Sequence, residues 1–205
     1  MRTMIPVMAV AALGAAAGAT AGPNAGAKPK KLFLDVHDVG PGKVTARAAA
    51  GAHALDLAAQ KKHGVSFKAY WVDERAGKIY CLAEAPSADA INHVHEEAHG
   101  MLAAKAVEVT ADNESWSPAP HAKLFFDTHH LGAGKVTSEA VAAAHVKDLA
   151  AQAKHGVRYL NYWFDAESGT VNCLVEAPSR EAALAVHAEA HGLMPDNIEE
   201  VIEGR

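Results

Sequence analysis

The stretch Lys31-Leu32-Phe33-Leu34-Asp35-Val36-His37 returns as Lys123-Leu124-Phe125-Phe126-Asp127-Thr128-His129, 123 − 31 = 92 positions later. The same offset carries residues 31–112 onto residues 123–204 without a gap, and roughly half of the aligned positions are identical. The chain therefore holds two copies of one module. The quoted stretch reads as a strand. A glycine turn, Gly40-Pro41-Gly42, follows it, and Thr45 then caps an alanine-rich helix that runs to about Lys62 and ends at Gly64. Phe67 to Asp73 and Lys78 to Glu84 form a hairpin around Gly77. Pro86-Ser87 opens a second helix with Asp89 in its first turn, Gly100 stops it, and Lys105 to Thr110 is the last strand.

The order β-α-β-β-α-β is the split unit of the ferredoxin-like fold, in which two helices cover one face of a four-stranded antiparallel sheet. The expected class is α+β, with two tandem ferredoxin-like modules at residues 31–112 and 123–204 and a linker at 113–122 holding Ser115, Ser117, Pro118 and Pro120. On the first strand Leu32, Leu34 and Val36 point one way and Phe33, Asp35 and His37 the other. The aliphatic set is expected to meet the helices, which leaves Asp35 and His37, with Phe33 and Tyr70, on the open face. An open face carrying aromatics calls for cover, so the two sheets are expected to pair as a pseudo-dimer, within the chain or in a homodimer, with any ligand site near that seam.

Residues 1–21 read as an export signal: Arg2, an apolar run from Ile5 to about Ala17, and a small-residue cleavage site at Ala19-Thr20-Ala21. The run is shorter than the roughly 20 apolar residues of a spanning helix. The expectation is a mature chain starting near Gly22, periplasmic or secreted, without a membrane span. Losing Arg2 and no acid moves the formal charge from −5 to −6, which offers no basic footprint for nucleic acid. Cys81 and Cys173 occupy equivalent places inside strands and read as buried apolar thiols.

Ten of the thirteen histidines form five repeated pairs. His63 and His155 precede the helix-ending glycines, where an imidazole meets the helix dipole favourably, and they read as structural. His37/His129, His95/His187 and His99/His191 read as functional, because imidazole binds transition metals and moves protons near neutral pH. His95 and His99 lie one helical turn apart, a chelating spacing, and the topology brings them toward His37 and Asp73. His53/His145, one turn before Asp56/Asp148, are further ligands or orient a ligand. Asp35/Asp127 and Glu84/Glu176 can serve as ligands, although carboxylates at strand ends are commonly just solvated. His95-Glu96-Glu97-Ala98-His99 satisfies the H-E-x-x-H pattern of zinc peptidases, but the second copy has Ala188 in place of Glu96, so binding is the shared property and hydrolysis is not. Gly40 to Thr45 misses the spacing of a phosphate loop.

Ala52-His53-x-x-Asp56-Leu57, Tyr70-Trp71-x-Asp73, Gly77, Cys81-Leu82-x-Glu84-Ala85-Pro86-Ser87 and His95 to Gly100 together resemble the small bacterial nickel-binding, ferredoxin-like proteins long catalogued as a domain of unknown function. The resemblance covers nearly all of both modules. It implies association through the sheet faces and binding of nickel or a similar ion, with no established reaction. A signal peptide and a fused second copy depart from the usual single-domain cytosolic form. The reading is an exported protein that sequesters or delivers Ni²⁺, with Zn²⁺, Cu²⁺ and Co²⁺ as alternatives, through His37, His53, His95, His99, His129, His145, His187 and His191. The alternative is a small enzyme of the dimeric α+β barrel kind, whose paired sheets enclose a cavity where a His/Asp pair does acid-base work.

Overall fold

The structure is a computed structural model and describes residues 29–205. The export segment proposed at residues 1–21 lies outside the described residues. The elements are β1 (Lys31–Asp38), α1 (Ala46–Ala59), β2 (Ser66–Asp73), β3 (Lys78–Ala85), α2 (Ala88–Ala98), β4 (Lys105–Glu108) and β5 (Thr110–Ala111), then β6 (Leu124–His130), α3 (Ser138–Ala151), β7 (Arg158–Asp165), β8 (Thr170–Glu176), α4 (Arg180–Ala190) and β9 (Asn197–Gly204). Thr45 Oγ1 accepts the Ala48 N–H at 3.1 Å at the start of α1, and Ser87 Oγ accepts that of Ala90 at 3.3 Å at the start of α2. A 3-10 turn, Gln60–His63, closes the first helix onto Gly64, whose φ of 71° is the left-handed conformation that ends helices. Gly77, at φ 72°, has no room for a Cβ, which would collide with the Gly40 carbonyl oxygen.

Each module lays its strands in the ferredoxin order, and the nine strands run β4-β1-β3-β2-β9-β6-β8-β7-β5 in one sheet. The two ends of that order belong to one segment, because β4 and β5 are separated only by Val109, so the sheet comes round on itself as a near-barrel. The closure is an exchange of strand ends. Thr110 and Ala111 leave the first module to pair Phe164 and Trp163 of β7, and β9 leaves the second to pair Ile202 with Val72 and Glu203 with Trp71 of β2. Linker residues join the seam too, since Trp116 lies 5.5 Å from Trp71, ring centre to ring centre.

The expected face assignment on β1 is inverted. Leu34 belongs to the core between the two sheets, with Trp71, Tyr80, Leu82, Phe126, Trp163 and Leu174. Phe33 packs under the helices with Ile91 and Val94, and Asp35 and His37 are buried on that same side. Both faces of each sheet are covered, and the more aliphatic set of β1 meets the other sheet, whose seam side is mostly aromatic and aliphatic, while Asp35 and His37 face polar partners under the helices. A bulge between Phe67 and Ala69 shifts the alternation of β2, placing Phe67 and Tyr70 together under the helices. Tyr70 is therefore not on the seam either.

Trp71 and Trp163 are fully buried, with ring centres 5.0 Å apart across the seam. Trp163→Ala is expected to destabilise the fold by about 3–5 kcal/mol, the cost of a large buried cavity. Because the seam core is common property, the parent chain should unfold in urea as one transition, and the variant should shift that transition for both modules together.

Candidate functional site

β1 carries two side chains to the helix-facing side, two residues apart, and α1 and α2 lower one turn each onto them. The result in the first module is a chain of five groups. His95 lies at its centre, with Nε2 3.3 Å from Asp35 Oδ2 and Nδ1 2.9 Å from Asp56 Oδ1. His37 Nε2 lies 3.3 Å from the other Asp35 oxygen, and His99 Nε2 3.1 Å from Asp56 Oδ1. His95 and Asp35 have no exposed surface at all. The second module repeats the chain: His187 Nε2 is 3.1 Å from Asp127 Oδ2, its Nδ1 is 3.2 Å from Asp148 Oδ1, and His129 and His191 stand 3.5 and 3.1 Å from the same two carboxylates.

Burial opposes charge on His95, but its hydrogen bonds to Asp35 and Asp56 outweigh that and push it up to about 9. His187 is pushed up to about 9 in the same way by Asp127 and Asp148. His95 is thus an imidazolium donating at both ends, to Asp35 and Asp56, whereas His187 donates to Asp127 and only lies beside Asp148. Burial raises Asp127, yet the charge of the adjacent His129 and the hydrogen bond from His187 hold it down at about 2, and Asp35 is lowered by its two histidines against the same desolvation. His53 and His145 stand apart from these chains. Burial depresses both, and neither His53 nitrogen has a hydrogen-bond partner. They lie against aromatic rings, His53 on Tyr70 at 4.6 Å and His145 on Tyr162 at 5.0 Å.

Of the residues singled out by sequence, His37, His95 and His99 come together, as do His129, His187 and His191. The clusters lie under the helices of each module, on the opposite face of the sheet from the seam where a site was expected. Asp73 is not part of them: its Oδ1 accepts the Ala76 N–H at 2.8 Å in the hairpin turn. Glu84 pairs with Lys68 at 3.0 Å. Cys81 and Cys173 are free, buried thiols pushed up by desolvation, although Cys173 has its sulfur beside Asp127 and His129. His63 and His155 reach Glu97 and Glu189 at 2.8 and 2.9 Å. Glu96, the would-be general base, is exposed.

Sequence reasoning undervalued Asp35 and Asp127, which are buried bridging carboxylates rather than solvated ones. It missed Tyr159, whose hydroxyl lies 3.0 Å from His187 Nε2, and Asp112, which the exchanged strand end brings to within 3.8 Å of His145 Nε2 in the other module. No local signal marks Asp112, since its repeat equivalent is Gly204.

Four groups place three potential ligand atoms within 4.8 Å of one another: Asp35/His37/His95, Asp56/His95/His99, Asp127/His129/Cys173 and Asp148/His187/His191. Metal–nitrogen bonds of about 2.1 Å set two ligand atoms up to about 4.2 Å apart, so a small contraction suffices. Asp35 Oδ1, His37 Nδ1, Asp127 Oδ1 and Asp148 Oδ1 are buried without a hydrogen-bond partner. Asp148 Oδ1 is within 3.2 Å of two imidazole nitrogens, yet their alignment is not that of hydrogen bonds. Buried carboxylate oxygens left in that state are open to a cation, and imidazole with carboxylate is a donor set that divalent transition ions accept.

Fold and site define a class: duplicated ferredoxin-like proteins whose sheets pair in one chain, each module burying a histidine–aspartate chain beneath its helices. The chain belongs to the SCO4226-like family, described as "Nickel responsive protein SCO4226-like", which matches it twice, at residues 33–109 and 125–201. It is similar to SCO4226 from Streptomyces coelicolor A3(2), with 43% identity over 38% of this chain and 93% of that one, at a TM-score of 0.36. It also aligns with a point mutant of the chlorite dismutase from Candidatus Nitrospira defluvii, at 6% identity over 88% of this chain and 92% of that one, TM-score 0.49. The putative chlorite dismutase TA0507 aligns at 9% identity, over 84% and 94%, TM-score 0.46. These last two likenesses bear on neither activity nor ligand. No curated protein matches the chain.

Proposed function

We propose that this protein is exported, to the periplasm or beyond the cell, and there sequesters or delivers a transition-metal ion, nickel before Zn²⁺, Cu²⁺ or Co²⁺. The observation that carries the reading is the buried His–Asp–His–Asp–His chain present in both modules, with carboxylate oxygens that no protein donor satisfies. In the first module His37 and Asp35 would hold an ion on one side of His95, or Asp56 and His99 on the other. In the second, His187 and His191 with Asp148, or His129 with Asp127, would do so. The family description adds nickel, and the sequence of residues 1–21 supports export. Among the described residues no helix is long and apolar enough to cross a membrane.

The catalytic alternative needs a cavity between the paired sheets. Trp71, Trp163, Phe126 and Tyr80 fill the centre of that space, with Tyr80 and Phe126 stacked at 4.6 Å, and leave cavities of about 180 Å³ beside Tyr80 and Asn172 and about 340 Å³ beside Leu82 and Trp163.

Elemental analysis of untagged protein recovered from the periplasm or medium, with its N-terminus sequenced, tests the proposal together with calorimetry on the stripped chain. The expected results are a chain starting near Gly22, bound metal, and at least two equivalents of Ni²⁺, one or more per module. Failure to bind any of Ni²⁺, Cu²⁺, Co²⁺ or Zn²⁺ at micromolar concentration would overturn the metal reading, and an uncleaved cytosolic chain would overturn export.

A further inference from the structure

Duplication lets one metal site be read against the other. In the first module the space beside His37, Asp56 and His99 is closed to about 10 Å³, no more than one water needs. In the second, His129, Asp148, His187 and His191 border a cavity of about 340 Å³, the room of about eleven waters. Val39 and Met101 pack against the first module's core, whereas their equivalents, Leu131 and Leu193, are 37% and 48% exposed. Ile79 is also replaced by Val171, one methylene smaller, at the wall. Val141, larger than its equivalent Ala49, works the other way without closing the space. Solvent reaches the edge of one imidazole in each module, 12% of the His99 side chain and 7% of His191. Contact with that edge does not reach an ion held between the ring nitrogen and Asp56 or Asp148. An incoming ligand needs the space beside them, and only the second module has it.

That space suits one kind of occupant once an ion is bound. The Asp148/His187/His191 group has one carboxylate, so a divalent ion there keeps one positive charge. Three protein donors also leave at least one coordination position unfilled, the arrangement of exchangeable rather than closed structural sites. Lys135 on the wall favours a carboxylate in the cavity as well, and Val136, Val141, Val171 and Leu193 can cover a small apolar remainder. The fit is a chelator of amino-acid size, with amine and carboxylate on the ion and its side chain against the aliphatic wall.

We propose that the second module is the exchange site, where a small amino-acid-like chelator enters the cavity, bonds the ion while the protein still holds it and carries it off. The first module retains its ion until the fold opens locally. In the exchange the chelator's amine gives up its proton as it bonds the ion, the displaced imidazole is free to take one back, and no electron moves. This inference rests on the metal reading above and goes beyond it by giving the two modules different tasks.

The test uses the full mature chain loaded with Ni²⁺ and mixed with L-histidine at fixed pH, with protein-bound nickel measured at timed intervals after gel filtration. Loss should be biphasic. One phase should speed up in proportion to L-histidine concentration, and the other, at least about tenfold slower, should be indifferent to it because it waits for local opening. His95→Ala with His99→Ala should delete the slow phase, and His129→Ala with His187→Ala, which takes one ligand from each second-module group, the fast one. Leu131→Val with Val171→Ile and Leu193→Met touches no ligand and writes the first module's residues into the second, so it should turn the fast phase slow and concentration-independent. In the unmodified chain loaded with Co²⁺, L-histidine should shift the visible absorption of the exchangeable ion before any cobalt is lost. A single rate for all bound nickel, a cobalt spectrum that does not shift, or a fast phase unmoved by the triple variant would overturn the inference and leave the metal reading standing. A chain that takes up no Ni²⁺ at loading would overturn both.

Discussion

Replacing His95 and His99 with alanine is expected to remove every Ni²⁺ equivalent bound by the first module while leaving those of the second intact. The two clusters lie under different helix pairs on opposite outer faces of the barrel, with the seam core between them, and no ligand candidate is common to both. A centre shared across the seam would lose all its binding instead. The affected sites should weaken by more than about a hundredfold, since even loss of a supporting group costs ten- to a hundredfold. His187→Ala with His191→Ala should likewise remove the ion held with Asp148, but it leaves the Asp127/His129/Cys173 group, which contains neither residue. Glu96→Ala should change nothing, because that side chain is exposed and its equivalent is already Ala188. Removing His95 also leaves Asp35 and Asp56 buried without their shared cation, which is expected to destabilise the metal-free protein by about 3–5 kcal/mol. Circular dichroism at the titration temperature separates the two losses: a folded double variant that still binds the parental amount of Ni²⁺ would exclude the helix histidines as ligands.

Stability and affinity should respond to pH in opposite directions. His95 and His187 sit at about 9 in the folded protein, above the ordinary histidine value of 6.5. The folded state thus holds their protons more tightly than the unfolded chain does. Their stabilisation is whole below pH 6.5 and is lost as pH rises through about 9, with a slope approaching about 1.4 kcal/mol per pH unit for each histidine. Asp127 works from the other side, held at about 2 against an ordinary 3.8, so its contribution is present above pH 3.8 and lost as pH falls through about 2. These three groups therefore contribute most between about pH 4 and 6.5, while His53 and His145, depressed by burial, oppose them as pH falls below 6.5, and urea midpoints should fall steadily from pH 6.5 to 9.

An ion that binds His95 or His187 must take the place of a proton still present at pH 7.5, so Ni²⁺ affinity should continue to rise above neutrality. An unperturbed histidine, the expectation from sequence, would level off above 6.5. About one proton per module should be released at pH 7.5, read as a dependence of binding heat on the ionisation enthalpy of the buffer. A plateau in affinity above pH 7 with no proton release would show that these two imidazoles do not ligate.

The repeat, the β-α-β-β-α-β order, the caps at Thr45 and Ser87 and the one-turn spacing of His95 and His99 are all legible in the sequence, because each depends on residues close along the chain: alternation, helical spacing, turn glycines. The same locality explains what is not legible. Alternation divides β1 into a Leu34 face and an Asp35–His37 face, but both faces are buried, and only the packing of one sheet on the other decides that the aliphatic one goes inward to the seam. With that inversion Asp35 passes from a solvated strand-end carboxylate to the bridge between His37 and His95, and the clusters move from the seam to the outer faces. The exchange of strand ends that carries Asp112 to His145 joins residues in different modules, and no propensity encodes it. The contrast between a closed first site and an open second one rests on where Met101 and Leu193 lie against their neighbours. Sequence alone determined which chemical groups are duplicated, since composition and period are local; the tertiary structure decided which of them meet and which space stays empty, because burial and close packing are settled only when distant segments share one core.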